Sequence, residues 1–258
     1  MSGSETLLLR HDQEGVAWLT LNRPGARNAL SMPLMAALEA ALDAVEQDAS
    51  IHVAVIAGAG PAFCAGHDLR EVRGGDGAMH EALFAHCSRL MQRITSLRLP
   101  VIARVHGVAT AAGCQLVATC DLAIAAESAA FATPGVNIGL FCSTPMVALS
   151  RAIPRKAAME MLLLGDLIPA ADAARLGLVN RAVPDAELDA AVWSLARRIA
   201  GKSRAVVALG KPAFYRQAEM TLAEAYEYTA DVMVRNMRER DAAEGIEAFL
   251  DKRAPVWA

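Results

Sequence analysis

The sequence predicts an α/β fold with a mostly parallel sheet, followed by a helical C-terminal portion. Three observations carry this. Short apolar runs at residues 51–57, 101–105 and 122–126 read as strands buried on both faces. Helical segments alternate with them, the arrangement that crossover connections between parallel strands require. From Arg155 onward the pattern is helical only. A chain of 258 residues is long enough to bury a sizeable core.

Taken in order, residues 6–10 and 16–21 read as two strands around a turn at 11–15. Ser31 caps a helix whose Leu34, Leu38, Leu42 and Val45 share one face. A glycine-containing loop at 58–66 follows the first buried strand. The polar, Gly-rich stretch 73–77 leads into a helix at 79–97. Residues 111–119 suit a short helix packed inside the core. The final helices are expected at 190–200, 205–217 and 222–240. An α/β core over 1–190 and a helical region over 191–258 result, with no internal repeat.

The formal net charge of −3 argues against nucleic-acid or anionic-membrane partners held by bulk charge. Five cysteines, an odd number with no C-x-x-C pair, speak against a disulfide framework and a zinc site. No metal is expected. Residues 1–10 lack a secretory leader pattern, and the expected location is cytoplasmic. The apolar stretch 105–126 has the length of a membrane span. It contains His106, Gln115, Asp121 and glycines, so it reads as buried strand and helix.

Two segments carry candidate chemistry. The first is Ala62-Phe63-Cys64-Ala65-Gly66-His67-Asp68-Leu69, where small residues let backbone approach a ligand. The preceding Gly58-Ala59-Gly60 fails as a dinucleotide fingerprint, because Phe63 stands where the third glycine belongs. No Lys-Ser/Thr follows, so a phosphate loop fails too. The second is the run from Val105 to Gln115, then Cys120-Asp121. There a strand leads into small residues and a helix start, whose free N–H groups and positive dipole end suit a developing oxyanion. Close helix packing selects small residues equally well.

In this order and spacing the two segments resemble the crotonase (enoyl-CoA hydratase/isomerase) superfamily. Leu21-Asn22-Arg23-Pro24, Phe131-Ala132-Thr133-Pro134, Gly177-Leu178-Val179 and Lys252-Arg253-Ala254-Pro255 extend the resemblance over nearly the whole chain. Residues 131–145 are similar to the enoyl-CoA hydratase domain-containing protein 3 subgroup. The resemblance implies a ClpP-like ββα spiral core and a homotrimer or a hexamer built as a dimer of trimers. It implies an acyl-CoA thioester as ligand, with coenzyme A arriving as part of the substrate and no tightly bound cofactor.

Residue by residue, it implies that the backbone N–H groups of His67 and Ala112 hold the thioester oxygen. The backbone at Ala65, His67, Asp68 and Leu69 would meet the adenine end of coenzyme A, and Arg23, Arg27 or Arg70 its phosphates. Phe249 and Lys252 match positions that approach a neighbouring subunit's coenzyme A. The hydratase pattern fails at two places. The glutamates that activate water are replaced by Gln115 and Gly135, and neither can act as a carboxylate base. Candidate substitutes are the side chain of His67 and, in the acyl pocket, His86, Cys142 and Ser143. His80, Asn137 and Thr144 lie in the same stretches. The implied activity is nominal hydratase or isomerase chemistry. A decarboxylase, a thioesterase and a non-catalytic acyl-CoA binder remain as alternatives.

Overall fold

The computed structural model describes residues 6–258. Residues 1–5, part of the stretch read for a leader, lie outside the described residues. β1 (Leu8–Gln13) and β2 (Val16–Leu21) form an antiparallel hairpin. The turn between them is two residues rather than the expected five. Glu14 and Gly15 both have positive φ, 51° and 76°, which matches the twist of the strands and lets β1 run on to Gln13. α1 (Met32–Gln47) starts where expected, with the Ser31 hydroxyl accepting from Leu34 N–H.

β3 (Val53–Gly58) is buried along its whole length. α2 (Leu69–Gly74), not expected from the sequence, follows the glycine loop. α3 (Gly77–Ser96) begins within the Gly-rich stretch because Asp76 caps Met79 N–H. Next come β4 (Val101–Val105), β5 (Val108–Thr110), α4 (Ala112–Thr119), β6 (Leu122–Ala126) and β7 (Ala130–Ala132). The last part holds α5 (Pro145–Ala152), α6 (Arg155–Leu164), β8 (Ile168–Pro169), α7 (Ala170–Leu176) and β9 (Arg181–Val183). α8 (Leu188–Ala200), α9 (Arg204–Gln217), α10 (Leu222–Asn236) and α11 (Arg240–Leu250) complete it.

β8 and β9 correct the expectation of helix only after Arg155. Runs of two and three residues carry no readable period, and pairing with distant strands makes them. The six-stranded sheet has the order β1-β2-β3-β4-β6-β9, parallel throughout except for β1 with β2. A smaller sheet, β5-β7-β8, stands beside it. Leu19, Leu21, Ala54 and Ile56 pack with α1 and α3 in the main core. Val16, Val53, Val55, Ile102 and Ile124 pack on the other side against Leu188, Val192 and Ala196 of α8. Each such Val, Leu or Ile side chain contributes roughly 1.5–3 kcal/mol when fully buried. Residue 190 falls inside α8.

α9 is tied down by charge. Lys211 Nζ donates to the carbonyls of Ile94 and Leu99 at 2.8 and 2.9 Å and pairs with Asp121 at 2.7 Å. Tyr215 donates to the other oxygen of Asp121 at 2.8 Å. Burial pushes the lysine's pKa down, and Asp121 opposes that shift.

Candidate functional site

Two backbone segments meet at the start of α4. Leu30 N–H donates to Gly66 O at 2.7 Å, and Asp68 N–H donates to Leu30 O at 3.0 Å. In that parallel pairing the intervening His67 N–H points the other way. Ala112 opens α4, so its N–H has no partner within the helix. Neither N–H donates to a backbone acceptor among the described residues.

The segments lie close because glycines permit it. A Cβ on Gly113 would lie 2.1 Å from Cys64 O, and one on Gly66 would lie 2.9 Å from Ala111 Cβ. Cys64 N–H donates to Val108 O and Thr110 N–H to Cys64 O, which stitches the loop to β5. Ala111 carries φ 50° and ψ −117°, a conformation that costs a non-glycine residue on the order of 1–3 kcal/mol. It turns the chain sharply so that α4 begins at Ala112. Asn28 is fully buried and organises the other side of the loop. Its amide donates to Ala59 O and Ala62 O, and its oxygen accepts from Arg23 N–H.

A cavity of about 710 Å³ opens at this junction. Ala65, His67, Ala112, Gly135, Cys142 and Ser143 line it together, with Leu69, Val72, Phe84, Ile138, Leu140 and Phe141 as apolar wall. Asn137 and Thr144 also reach it, and among the described residues no carboxylate does. Sequence reasoning did not single out Phe84. A large aromatic beside Leu83 on α3 was its only signal. The His67 ring stands edge-on to Phe84, with centroids 5.4 Å apart. Its Nε2 is sealed without a partner, and burial pulls its pKa down to about 4, so the imidazole is neutral.

Two expected site residues are placed elsewhere. His86 does not line the cavity; its Nε2 meets Glu39 of α1 at 2.9 Å. Two residues beyond Phe84 is over half a turn of helix, so the two side chains face apart. Gln115 lies one turn along α4 from Ala112 and faces a different cavity, with its Oε1 accepting from the Cys87 thiol at 3.9 Å.

Gly135 does line the site, but it is not merely a missing side chain. A Cβ there would come within 2.5 Å of Leu140 O and 2.9 Å of Cys142 Sγ. The 139–142 turn fills the space. Burial raises the Cys142 thiol pKa, and a hydrogen bond with the Gly135 backbone opposes this.

Of the expected phosphate-binding arginines, Arg23 is engaged inside the protein, with Ala29 O at 2.6 Å and Asp68 at 2.8 Å. The Arg23 hydrogen bond holds the Asp68 carboxyl below its ordinary range. Arg27 and Arg70 are exposed. Phe249, 83% exposed, and Lys252 lie outside the cavity of their own chain.

The spiral of parallel strands and the paired amides over an apolar cavity define a crotonase-type protein. The enoyl-CoA hydratase/isomerase family matches residues 11–258, and the chain belongs to it. The crystal structure of an enoyl-CoA hydratase from Mycobacterium smegmatis superposes with a TM-score of 0.96 at 52% identity, covering 98% of this chain and 99% of that one. That of human enoyl-CoA hydratase domain-containing protein 3 gives 0.95 at 45% identity, covering 98% and 100%. The rat protein of that name is 46% identical over 247 residues, 95% of this chain and 82% of its own length. The similarity to this subgroup expected from residues 131–145 therefore holds over the full chain.

The cytoplasmic expectation is corrected by the same comparison. The rat, mouse and human relatives are named mitochondrial, which points to the mitochondrion instead. A cysteine pattern without a disulfide framework carries no address.

Proposed function

We propose that this chain binds an acyl-CoA thioester and stabilises its enolate between the N–H groups of His67 and Ala112, without the carboxylate pair of a hydratase. The observation that carries this reading is the convergence of two amides, unpartnered among the described residues, on an apolar cavity that no described Asp or Glu lines. Preorganised N–H donors of this kind are worth about 10²–10³ in rate each, and they need no particular side chain at position 112. Coenzyme A enters as part of the substrate. The chain works as a homotrimer or dimer of trimers, with residues 191–258 in the contacts and with Phe249 and Lys252 reaching toward a neighbour's coenzyme A. The solvent exposure of Phe249 and Leu250 supports that role.

The test pairs binding with turnover. Calorimetry should show acetyl-CoA bound, while crotonyl-CoA hydration stays at background. Hydration at rates of an ordinary hydratase would overturn the claim about chemistry. Absence of any acyl-CoA binding would overturn the claim about the ligand.

A further inference from the structure

A second cavity, of about 640 Å³, lies between α3, α4, α5 and α9. It shares no lining residue with the first, so it is a separate space. Its volume falls within the roughly 300–1,000 Å³ of small-molecule sites. Met91, Val117, Leu122, Val147, Leu178 and Phe214 give it an apolar wall.

The charges on the wall are already matched. Asp121 accepts from Tyr215 Oη, Lys211 Nζ and Val101 N–H. Arg151 pairs with Glu219 at 3.2 Å, and both are largely exposed. An ionised ligand would have to break one of these pairs to gain a partner, and a desolvated charge without a partner is costly. The cavity therefore selects an uncharged occupant.

One buried donor is left over. Thr119 and Gln115 are the buried polar side chains of the wall. The Thr119 hydroxyl donates to Gln115 O at 2.7 Å. Gln115, 4% exposed, accepts from the Cys87 thiol at its Oε1. Its Nε2 donates to nothing among the described residues and is not sealed, so it opens onto this space. A buried donor without an acceptor is unfavourable. An occupant that brings a carbonyl oxygen to Nε2 removes that cost, and a hydrocarbon of the same shape does not.

We infer that this cavity is a binding site for an uncharged, largely apolar molecule with a carbonyl group, whose oxygen accepts from Gln115 Nε2. The site is distinct from the thioester cavity and stands independently of the proposed function.

Benzophenone is the probe, because under ultraviolet light it marks the place it occupies. Its excited carbonyl oxygen abstracts a hydrogen atom from a neighbouring C–H bond. The two radicals then join, leaving a tertiary alcohol bonded to the protein. Irradiating the intact protein over a concentration series, with peptide mapping, gives the benzophenone Kd at each labelled segment. Competition by diphenylmethane, the same shape without the oxygen, gives its Kd at the same segment. Saturable label is expected on cavity residues such as Met91 and Val147. In Gln115→Leu or Gln115→Met, the ratio of the two Kd values should shift by about two- to tenfold against benzophenone. Ala148→Phe and Ala118→Phe fill the cavity from partly exposed positions. Each should weaken benzophenone here by at least about tenfold. Label that does not saturate, or that is confined to the first cavity, overturns the inference. So does an unchanged Kd in both Phe variants. A ratio unchanged in both Gln115 variants overturns the carbonyl's assignment to Nε2.

Discussion

His67 puts a titratable ring where a proton is unwelcome. Its folded pKa lies near 4 against an ordinary 6.5. Between those values the unfolded chain takes up a proton that the folded protein refuses. Stability is therefore full above pH 6.5 and falls as the pH drops toward 4, by on the order of 3 kcal/mol. Urea midpoints on either side of that window should show the loss, and His67→Gln should flatten it. An unchanged slope in the variant would assign the pH dependence to other groups. Gly135 makes the opposite kind of prediction. Restoring a glutamate there drives the new side chain into Leu140 O and the Cys142 thiol. Gly135→Glu should lower stability by about 1–3 kcal/mol and gain no crotonyl-CoA hydration. A single variant that hydrates would show that the 139–142 turn yields easily.

Among the elements, α9 depends most on one side chain. Lys211 joins the end of α3, the entry to β4 and Asp121, the residue before β6. Lys211→Met leaves the partly buried Asp121 without its cation, which costs about 3–5 kcal/mol and should lower Tm by on the order of 10 °C. A shift of a degree or less would mean that Tyr215 and Val101 N–H satisfy the carboxylate alone. α1, β3, β4 and β6 were legible in the sequence because each is long enough, or apolar enough, to show its period. β5, β7 and β8 were not, since strands of two or three residues exist only through their partners. α10 was read too long, to 240, because no Gly or Pro marks its end, and α11 was not read as a helix. The break comes from Glu239, whose extended backbone restarts the chain. In the site, the backbone donors were readable from small residues before a helix. The directions of His86 and Gln115 were not, because helix rotation against α1 and α3 sets them.

At the scale of the whole molecule, apolar surface predicts assembly. Leu222, Tyr226, Phe249 and Leu250 are each more than 70% exposed, on α10 and α11. Large apolar side chains exposed in this number are candidates for contacts between subunits. Light scattering should return about 82 kDa or twice that, for three or six copies of the 27.3 kDa chain. A monomer mass would remove the proposed contacts between subunits. The hairpin edge gives that assembly its direction. β1 is the outermost strand, and from Leu9 to Gln13 it is exposed and carries Arg10, His11 and Asp12. Charges along an unpaired strand discourage another strand from joining it. Crowded chains are thereby kept from zipping sheet to sheet into open-ended fibres, and the proposed contacts between subunits fall to the helical side instead.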